Sequence, residues 1–286
     1  MNLFIVDVFA QQKYTGNQLA VVLDDGTLSA ETMQAIAAEI NFSETTFVAP
    51  EGESDGSHSV RFFTPARELA FAGHPILGTA WVVREHLLQE RSDSVTLNLQ
   101  VGKVAVAFEK SADELVTWFR APAMTLGPGC DAERMAAALG LEASDFGATP
   151  IQQVAAGTSA MIVPLRSLAA LRRCYLNLDA YRPLLTAGFP PLIYVFCRET
   201  RDPNNHLSAR FFFEAHGVWE DPATGNGAAF LGEYLIAHRP FDAPPYALRI
   251  EQGHEVRRPS LVMLRAGHDG VFVGGTVLPV LDGRLL

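Results

Sequence analysis

Residues 61–80, RFFTPARELAFAGHPILGTA, and residues 210–235, RFFFEAHGVWEDPATGNGAAFLGEYL, share the pattern that decides the fold. Each begins with Arg-Phe-Phe, which is typical of a strand, and each passes through a turn rich in Gly and Pro into a small-residue, apolar segment that predicts a helix. Further matching pairs are 16–22 with 157–163 and 95–100 with 247–252. All offsets are close to half of the 286 residues. A duplicated unit is the simplest explanation.

The segment after Pro75 predicts a helix that is apolar or small on almost every face of its first two turns. A helix of this kind is buried all round. Strands on both flanks are expected to wrap it, and the second half predicts the same arrangement around a helix of residues 227–237. The predicted fold is therefore α+β, with two pseudo-duplicated domains, each a mostly antiparallel β-barrel wrapped around a central helix.

The boundary between the two domains is predicted in residues 125–131, TLGPGCD, which contain two Gly and one Pro and favour a linker. This gives an N-terminal domain of residues 1–125 and a C-terminal domain of residues 126–286. A last strand that returns to the first domain is an open alternative.

Composition excludes several classes of function. A hydrophobic content of 48% and a charged content of 19% are typical of a compact protein. The net charge of −10 comes without a basic cluster, so we expect no nucleic-acid partner. Three cysteines without a CxxC motif disfavour a disulfide framework or a thiolate metal site. No signal peptide or membrane span is expected, which predicts a cytoplasmic protein.

Glu44 is the first residue that could carry chemistry. It lies in NFSETTF, residues 41–47, between a predicted helix end and a predicted strand. The ordinary interpretation is a solvated loop glutamate. The alternative is a carboxylate held in an apolar site, with a raised pKa that suits general acid/base catalysis.

A second segment of interest is AGHP, residues 72–75. Pro75 suits the first turn of a helix, so the amides of Gly73 and His74 could face an anion. A histidine that only begins a helix or fills the core is the ordinary interpretation of His74.

The third segment is EDPATGNG, residues 220–227. Local rules predict a helix cap in which Asp221 and Thr224 act as capping acceptors. The glycines match neither GxGxxG nor a P-loop, which excludes a Rossmann or nucleoside-triphosphate site. If the halves are duplicates, both Gly-rich loops lie at the N-termini of the two buried helices. Together they predict an interdomain site for a small carboxylate-bearing ligand.

The motifs SETTFV, FTPxxELxFAGHPxxGTA and EDPATG, in this order and spacing, resemble the PhzF-like (phenazine biosynthesis) isomerase family, which shares the diaminopimelate epimerase fold. The resemblance covers essentially the whole chain. It implies two similar domains with the active site between them, a homodimer and no cofactor. It places the acid/base glutamate on Glu44, the histidine and glycine of the first helix turn on His74 and Gly73, and the second-domain aspartate on Asp221.

Two departures bear on the reaction. In the epimerases of this fold, two cysteines face each other at the positions that match Gly73 and Asp221, so a two-thiol proton exchange is not available here. This favours proton transfer by a carboxylate. Many PhzF-like sequences have Ser-Ala after EDPATG, whereas this chain has Asn226 and Gly227, which points to a substrate different from the phenazine precursor.

The function predicted is that of a cofactor-independent isomerase that moves a proton within a small carboxylate-bearing metabolite. An epimerase or racemase of a small carboxylic or amino acid, with Glu44 and Asp221 on opposite faces, and a binding protein without turnover remain alternatives. The expected catalytic residues are Glu44, His74 and Asp221, the expected substrate-binding residues are Asn17, Gly73, Thr224, Gly225, Asn226 and Gly227, and no metal site is expected.

Overall fold

The structure, a computed structural model, describes residues 1–111, 114–215, 218–241 and 243–286, without the side chains of residues 215, 218 and 219. Unit 1 contains Met1–Arg120 and Gly274–Leu286, and unit 2 contains Ala121–Val273. Each is a compact unit with its own strands and its own buried helix.

The two predicted Arg-Phe-Phe strands and the two predicted apolar helices are present among the helices and strands of the chain. In the first part of the chain they are β1 Asn2–Val8, β2 Asn17–Leu23, α1 Ala30–Ile40, β3 Glu44–Val48, β4 His58–Phe63, β5 Glu68–Leu69, α2 Gly73–Val82, β6 Ser94–Leu99, β7 Gly102–Ser111 and β8 Glu114–Arg120. In the second part they are β9 Thr125–Gly129, α3 Ala132–Leu139, β10 Gln152–Ala156, β11 Thr158–Pro164, α4 Leu168–Arg173, α5 Leu178–Thr186, β12 Leu192–Cys197, β13 Leu207–Ala215, β14 Val218–Asp221, α6 Gly225–His238, β15 Tyr246–Gln252, β16 Ser260–Gly267 and β17 Gly270–Arg284.

Eight strands of unit 1 close into a barrel. The pairs β1–β2, β3–β4, β6–β7 and β7–β8 are antiparallel, whereas β2–β3 and β4–β6 are parallel. Strand β17 pairs with both β1 and β8 and completes the ring. Closure leaves no free edge in this set of strands.

Helix α2 runs through the interior of this barrel. It contacts β1, β2, β3, β6, β7 and β8, and almost every one of its residues is buried. Gly78 permits this close approach, because a Cβ there would lie 2.6 Å from Leu19 Cδ2 and 2.9 Å from Val8 Cγ2. The prediction of a fully buried central helix is confirmed, with its start at Gly73.

Unit 2 repeats the order and the sense of these pairings around α6. The pairs β10–β11, β12–β13 and β15–β16 are antiparallel, and β11–β12 and β13–β15 are parallel. The register also repeats, since Thr45 pairs with Phe63 in β3–β4 and Ile193 pairs with Phe212 in β12–β13. Helix α6 contacts β10, β11 and β16. The predicted α+β fold with two pseudo-duplicated halves is confirmed.

The duplication extends to one ion pair in each unit. Arg61 Nε lies 2.7 Å from Glu68 Oε1, and Arg210 Nε lies 2.9 Å from Glu220 Oε1. In each pair the second guanidinium nitrogen bonds the other carboxylate oxygen, a bidentate geometry that fixes both side chains. Each pair ties a long strand to the short strand that leads to the buried helix.

The prediction that residues 125–131 form a linker without regular structure is wrong. Thr125–Gly129 form β9, which pairs with β10, and Val154 lies opposite Leu126. Pro128 is tolerated here because the register of this ladder shifts between Gln152 and Val154, and a bulge does not need every backbone N–H. Asp131 caps α3 as predicted, and its side chain accepts a hydrogen bond from the backbone N–H of Arg134.

Among the helices of the described residues, none is long and apolar enough to cross a membrane.

Candidate active site

Two of the predicted site residues stand at one edge of the unit 1 barrel. Asn17 is the first residue of β2, and Glu44 is the first residue of β3. The two strands are parallel, with Leu19 opposite Glu44, so their N-terminal ends meet. The sequence placed Glu44 between helix and strand, whereas the structure gives it a fixed position on the strand, with its side chain only 17% exposed.

His74 joins these two residues from the first turn of α2. Its Nδ1 lies 3.3 Å from Asn17 Nδ2 and 3.6 Å from Glu44 Oε2. The Asn17 and His74 side chains are almost completely buried. We call Asn17, Glu44 and His74 the Glu44 cluster; residues far apart in the sequence meet here because α2 begins beside the start of β2 and β3.

The imidazole of His74 is neutral near neutral pH. Burial lowers the pKa of His74 from 6.5 to about 3, and a hydrogen bond with the backbone of Gln18 opposes this effect only in part. The approach of His74 to Glu44 is therefore a polar contact and not an ion pair. A neutral ring can exchange hydrogen bonds with a ligand but supplies no positive charge.

The outer nitrogen of His74, Nε2, has no hydrogen-bond partner among the described residues although it is buried. Buried polar atoms are satisfied in most proteins, so such an atom points to a partner that binds later. The N-cap of α2, Ala72, offers no side-chain acceptor. The first turn of α2 thus provides backbone N–H groups and the imidazole at one place.

Unit 2 holds a second polar cluster at the start of its own buried helix. Asp221 ends β14, Thr224 is the N-cap of α6, and the hydroxyl of Thr224 donates to Asp221 Oδ2 at 2.5 Å. Gln252, at the end of β15, bonds to both residues. We call Asp221, Thr224 and Gln252 the Asp221 cluster. The interpretation of Thr224 as a side-chain capping acceptor is wrong, because its side chain bonds no amide of α6.

The first turn of α6 contains the remaining predicted residues. Gly225 and Gly227 are buried, and Asn226 between them is half-buried. A Cβ at Gly227 would lie 2.5 Å from Cδ2 of Tyr194, so the absence of a side chain lets this ring pack against the helix. Their role in binding substrate stays a prediction.

A family model described as phenazine biosynthesis-like protein matches residues 6–283. The chain belongs to the phenazine biosynthesis-like family.

Related proteins agree with this assignment. The chain is 36% identical to the trans-2,3-dihydro-3-hydroxyanthranilate isomerase of Pseudomonas aeruginosa, over 98% of this chain and 97% of that protein. It is 34% identical to an uncharacterized isomerase of Mesorhizobium japonicum, over 99% and 98% of the two chains. The protein is thus an isomerase of the phenazine biosynthesis-like family.

Solved structures show the same relationship. A phenazine biosynthesis protein of the PhzF family from Bacillus anthracis has a TM-score of 0.88 at 28% identity, with 100% of this chain and 99% of that chain covered. A probable proline racemase from Agrobacterium radiobacter has a TM-score of 0.62 at 10% identity, with 100% and 92% covered. The racemase shares the fold alone.

The cysteines of this family member are not prepared for chemistry. Burial raises the pKa of Cys174 to about 12, and it raises the pKa values of Cys130 and Cys197 to about 11. Thiols with such values stay protonated at neutral pH and are poor nucleophiles. Within the described ranges, no three His, Cys, Asp or Glu side chains are grouped to hold a metal ion.

Sequence reasoning missed Gln252. The sequence identifies the segment 247–252 only as a repeat of 95–100 and indicates no polar role for its last residue. The sequence does contain one signal for this role. Gln252 is a polar residue at the end of a strand, directly before Gly253, and a side chain at such a position can form hydrogen bonds with a loop that approaches the strand end. Its partners lie 28 and 31 residues earlier in the chain, beyond the reach of local rules.

Proposed function

We propose that this isomerase moves a proton from one carbon to another of a small carboxylate-bearing substrate, with Glu44 as the group that removes and returns it. The observation that carries the proposal is the Glu44 cluster. A largely buried carboxylate stands 3.6 Å from a neutral, buried imidazole, whose outer nitrogen lacks a partner among the described residues.

Burial suits a carboxyl group that must act as both base and acid. A carboxylate that leaves water loses solvation, so its protonated form becomes easier to populate during the reaction. A site poor in water also keeps the abstracted proton from exchanging before it is returned. Glu44 takes the proton from an sp³ carbon beside an unsaturated system, the double bonds shift, and the proton is delivered to another carbon of the same molecule.

His74 and Asn17 are proposed to hold the substrate and Glu44 in place. Because His74 is neutral, it leaves Glu44 free to exchange between carboxylate and carboxylic acid without a competing positive charge. The imidazole Nε2 is proposed to bond a polar group of the substrate. The N–H groups at the start of α2 are proposed to receive its carboxylate, since a helix N-terminus favours anions.

The Asp221 cluster is proposed to act on the same ligand. In this proposal the two compact units are the two domains, and the ligand binds in a cleft between them. Asp221 would accept hydrogen bonds from an ammonium or hydroxyl group, while Gly225, Asn226 and Gly227 would supply backbone and amide contacts. The support is the duplication, which gives each unit a polar cluster at the start of its buried helix.

The first substrate to test follows from the relative in Pseudomonas aeruginosa. The named substrate of that protein, trans-2,3-dihydro-3-hydroxyanthranilate, carries a carboxylate, an amino group and a hydroxyl on an unsaturated ring. We propose a substrate of this chemical class. A cytoplasmic homodimer that needs no cofactor for the proton transfer is also proposed, on the resemblance to the family, and sedimentation equilibrium tests the dimer.

Solvent deuterium tests the reaction class. In D₂O an isomerase forms a product with a hydrogen isotope at a new carbon, and protium is retained in part because Glu44 returns the proton it removed. An epimerase would place deuterium on the original carbon with inverted configuration. A binding protein would leave the ligand unchanged, and either of these outcomes would overturn the proposal.

Glu44→Gln tests the residue. The variant keeps the shape but removes the base, so turnover is expected to fall by about 10²–10⁴-fold with ligand affinity largely kept. Glu233→Gln is a matched control, because burial raises the pKa of Glu233 while its place on α6 is about 12 Å along the helix from Gly225. Activity near the wild-type level in Glu44→Gln would refute the role of Glu44.

A further inference from the structure

Gln252 is a buried residue of the Asp221 cluster that has no role in the proposed reaction. It ends β15, its side chain is 1% exposed, and it makes three hydrogen bonds to the segment between β14 and α6. Its Oε1 accepts from the backbone N–H of Thr224 at 3.3 Å, and its Nε2 donates to the carbonyl of Asp221 at 3.0 Å and to Thr224 Oγ1 at 3.1 Å.

These partners fix the orientation of the Gln252 amide. A backbone N–H can only donate, so the atom that faces it is the amide oxygen. A backbone carbonyl can only accept, so the atom that faces it is the amide nitrogen. Rotation of the amide by half a turn would break both bonds, so the donor and acceptor requirements of the two backbone groups determine the orientation of the amide.

The fixed amide sets the direction of the next hydrogen bond. Because Nε2 of Gln252 donates to Thr224 Oγ1, the hydroxyl hydrogen of Thr224 must point elsewhere. Its other neighbour is Asp221 Oδ2, at 2.5 Å. The chain of donation thus runs in one direction, from Gln252 to Thr224 and from Thr224 to the carboxylate of Asp221.

Backbone packing keeps these residues in reach of each other. Gly253 has φ +79°, and a Cβ there would lie 2.4 Å from the carbonyl oxygen of Pro222 and 2.3 Å from that of Arg258. Only glycine allows this approach without strain. The end of β15 is therefore held against the segment from Asp221 to Thr224.

We propose that Gln252 is a positioning residue that fixes the Thr224 hydroxyl and the Asp221 carboxylate in the orientation that the substrate meets. The inference rests on the proposed function, since it assigns to Asp221 a polar group of the substrate. A side chain that a directed hydrogen bond already holds in the binding orientation does not have to reorient when the ligand binds, so binding carries no free-energy cost for its reorientation.

A double-mutant cycle tests the coupling. Gln252→Met keeps the length of the side chain and removes its three hydrogen bonds, and Thr224→Val removes the hydroxyl that relays them. Each single variant is expected to lower kcat on the order of 10- to 100-fold. The double variant is expected to lie within about threefold of the slower single variant, because both changes interrupt one chain.

Two further proteins separate positioning from stability. Gln252→Glu keeps the acceptor for the Thr224 N–H, so this variant can be used if Gln252→Met does not fold. Its kcat is expected to fall, whereas its circular dichroism spectrum is expected to match that of the wild type. Gln100→Met is the matched control in unit 1; Gln100 follows β6 and bonds Glu68 on the surface, and its kcat is expected to stay within about twofold. Full kcat in Gln252→Glu, or effects that multiply in the cycle, would overturn the proposal.

A measurement without substrate distinguishes a failure of this inference from a failure of the proposed function. If the wild-type protein does not isomerise the substrate, the function fails, and the side-chain amide of Gln252 is then followed by NMR. Its two protons are expected to exchange with water at least about 10-fold more slowly than those of Gln100, and Thr224→Val is expected to shift only one of them. Equal exchange for Gln252 and Gln100 would refute the positioning role.

Discussion

His74→Asn gives the sharpest test of the electrostatics of the Glu44 cluster. Asparagine can keep a polar atom near the position of Nδ1 but cannot be protonated. The pKa of His74 is lowered by burial from 6.5 to about 3, so the unfolded chain binds a proton in this range while the native protein does not. Above pH 6.5 the histidine is neutral in both states and does not lower the free energy of unfolding. As the pH falls from 6.5 towards 3, only the unfolded chain takes up the proton, so the free energy of unfolding decreases.

The magnitude follows from the size of the shift. At about pH 5 the unfolded histidine has gained most of a proton while the native one has not, and this removes about 2 kcal/mol of the free energy of unfolding. The variant lacks the group and does not lose this contribution. Other histidines, such as His238 and His254, titrate in both proteins and cancel in the comparison.

Urea unfolding at about pH 7.5 and about pH 5 measures the difference. Trp81 and Trp118 belong to unit 1, as His74 does, whereas Trp219 belongs to the sequence of unit 2. A Trp219→Phe background in both proteins therefore makes the fluorescence report the unit that contains His74.

The expected result is a fall in unfolding free energy between the two pH values that is about 2 kcal/mol larger in the protein with His74 than in His74→Asn. Equal falls in the two proteins would show that the native imidazole is protonated as easily as in water. Burial would then not keep the ring beside Glu44 neutral at pH values below 6.5.

Three further variants test other features. The triple Cys130→Ser, Cys174→Ser, Cys197→Ser protein is expected to keep activity within about threefold, because the thiols are protonated and lie outside the two clusters; complete loss of turnover in a folded protein would argue against proton transfer by Glu44. Gly78→Ala is expected to cost about 1–3 kcal/mol in urea unfolding, since the clash inside the barrel exceeds the helix preference of alanine. Arg210→Met is expected to cost about 3–5 kcal/mol, because it leaves Glu220 buried without its partner, whereas the equivalent Arg61→Met is expected to cost at most about 1 kcal/mol.

The contrast between the last two variants comes from burial and from the carbonyls of Leu171 and Cys174, which accept hydrogen bonds from Arg210 Nη1. The side chains of Arg210 and Glu220 are 7% and 8% exposed, whereas those of Arg61 and Glu68 are 36% and 26% exposed. The sequence showed Arg-Phe-Phe twice but not that each arginine has a glutamate partner. Equal costs for the two variants would contradict the reasoning from burial.

Local sequence patterns predicted the two Arg-Phe-Phe strands and the two buried helices. These predictions rest on short-range signals: the Arg-Phe-Phe segments, the Gly- and Pro-rich turns and the apolar helical segments. The structure has these strands and helices within a few residues of the predicted bounds. The prediction of a linker at residues 125–131 was wrong because it, too, used only local sequence. Its Gly and Pro residues predict a loop locally, but a ladder with β10 makes Thr125–Gly129 a strand.

The sequence alone determined the duplicated α+β fold and, through the resemblance of its motifs, the residues of interest: Glu44, His74 and Asp221. Tertiary structure decided how they act. Only folding brings the side chains of Asn17 and Glu44 within 3.6 Å of His74 Nδ1, and only burial keeps the ring of His74 neutral at pH values below 6.5. Gln252 reaches Asp221 and Thr224 through the approach of β15 to the start of α6. Short-range rules describe a residue and its neighbours in the chain, whereas desolvation and hydrogen bonding depend on which distant segments the fold packs around it.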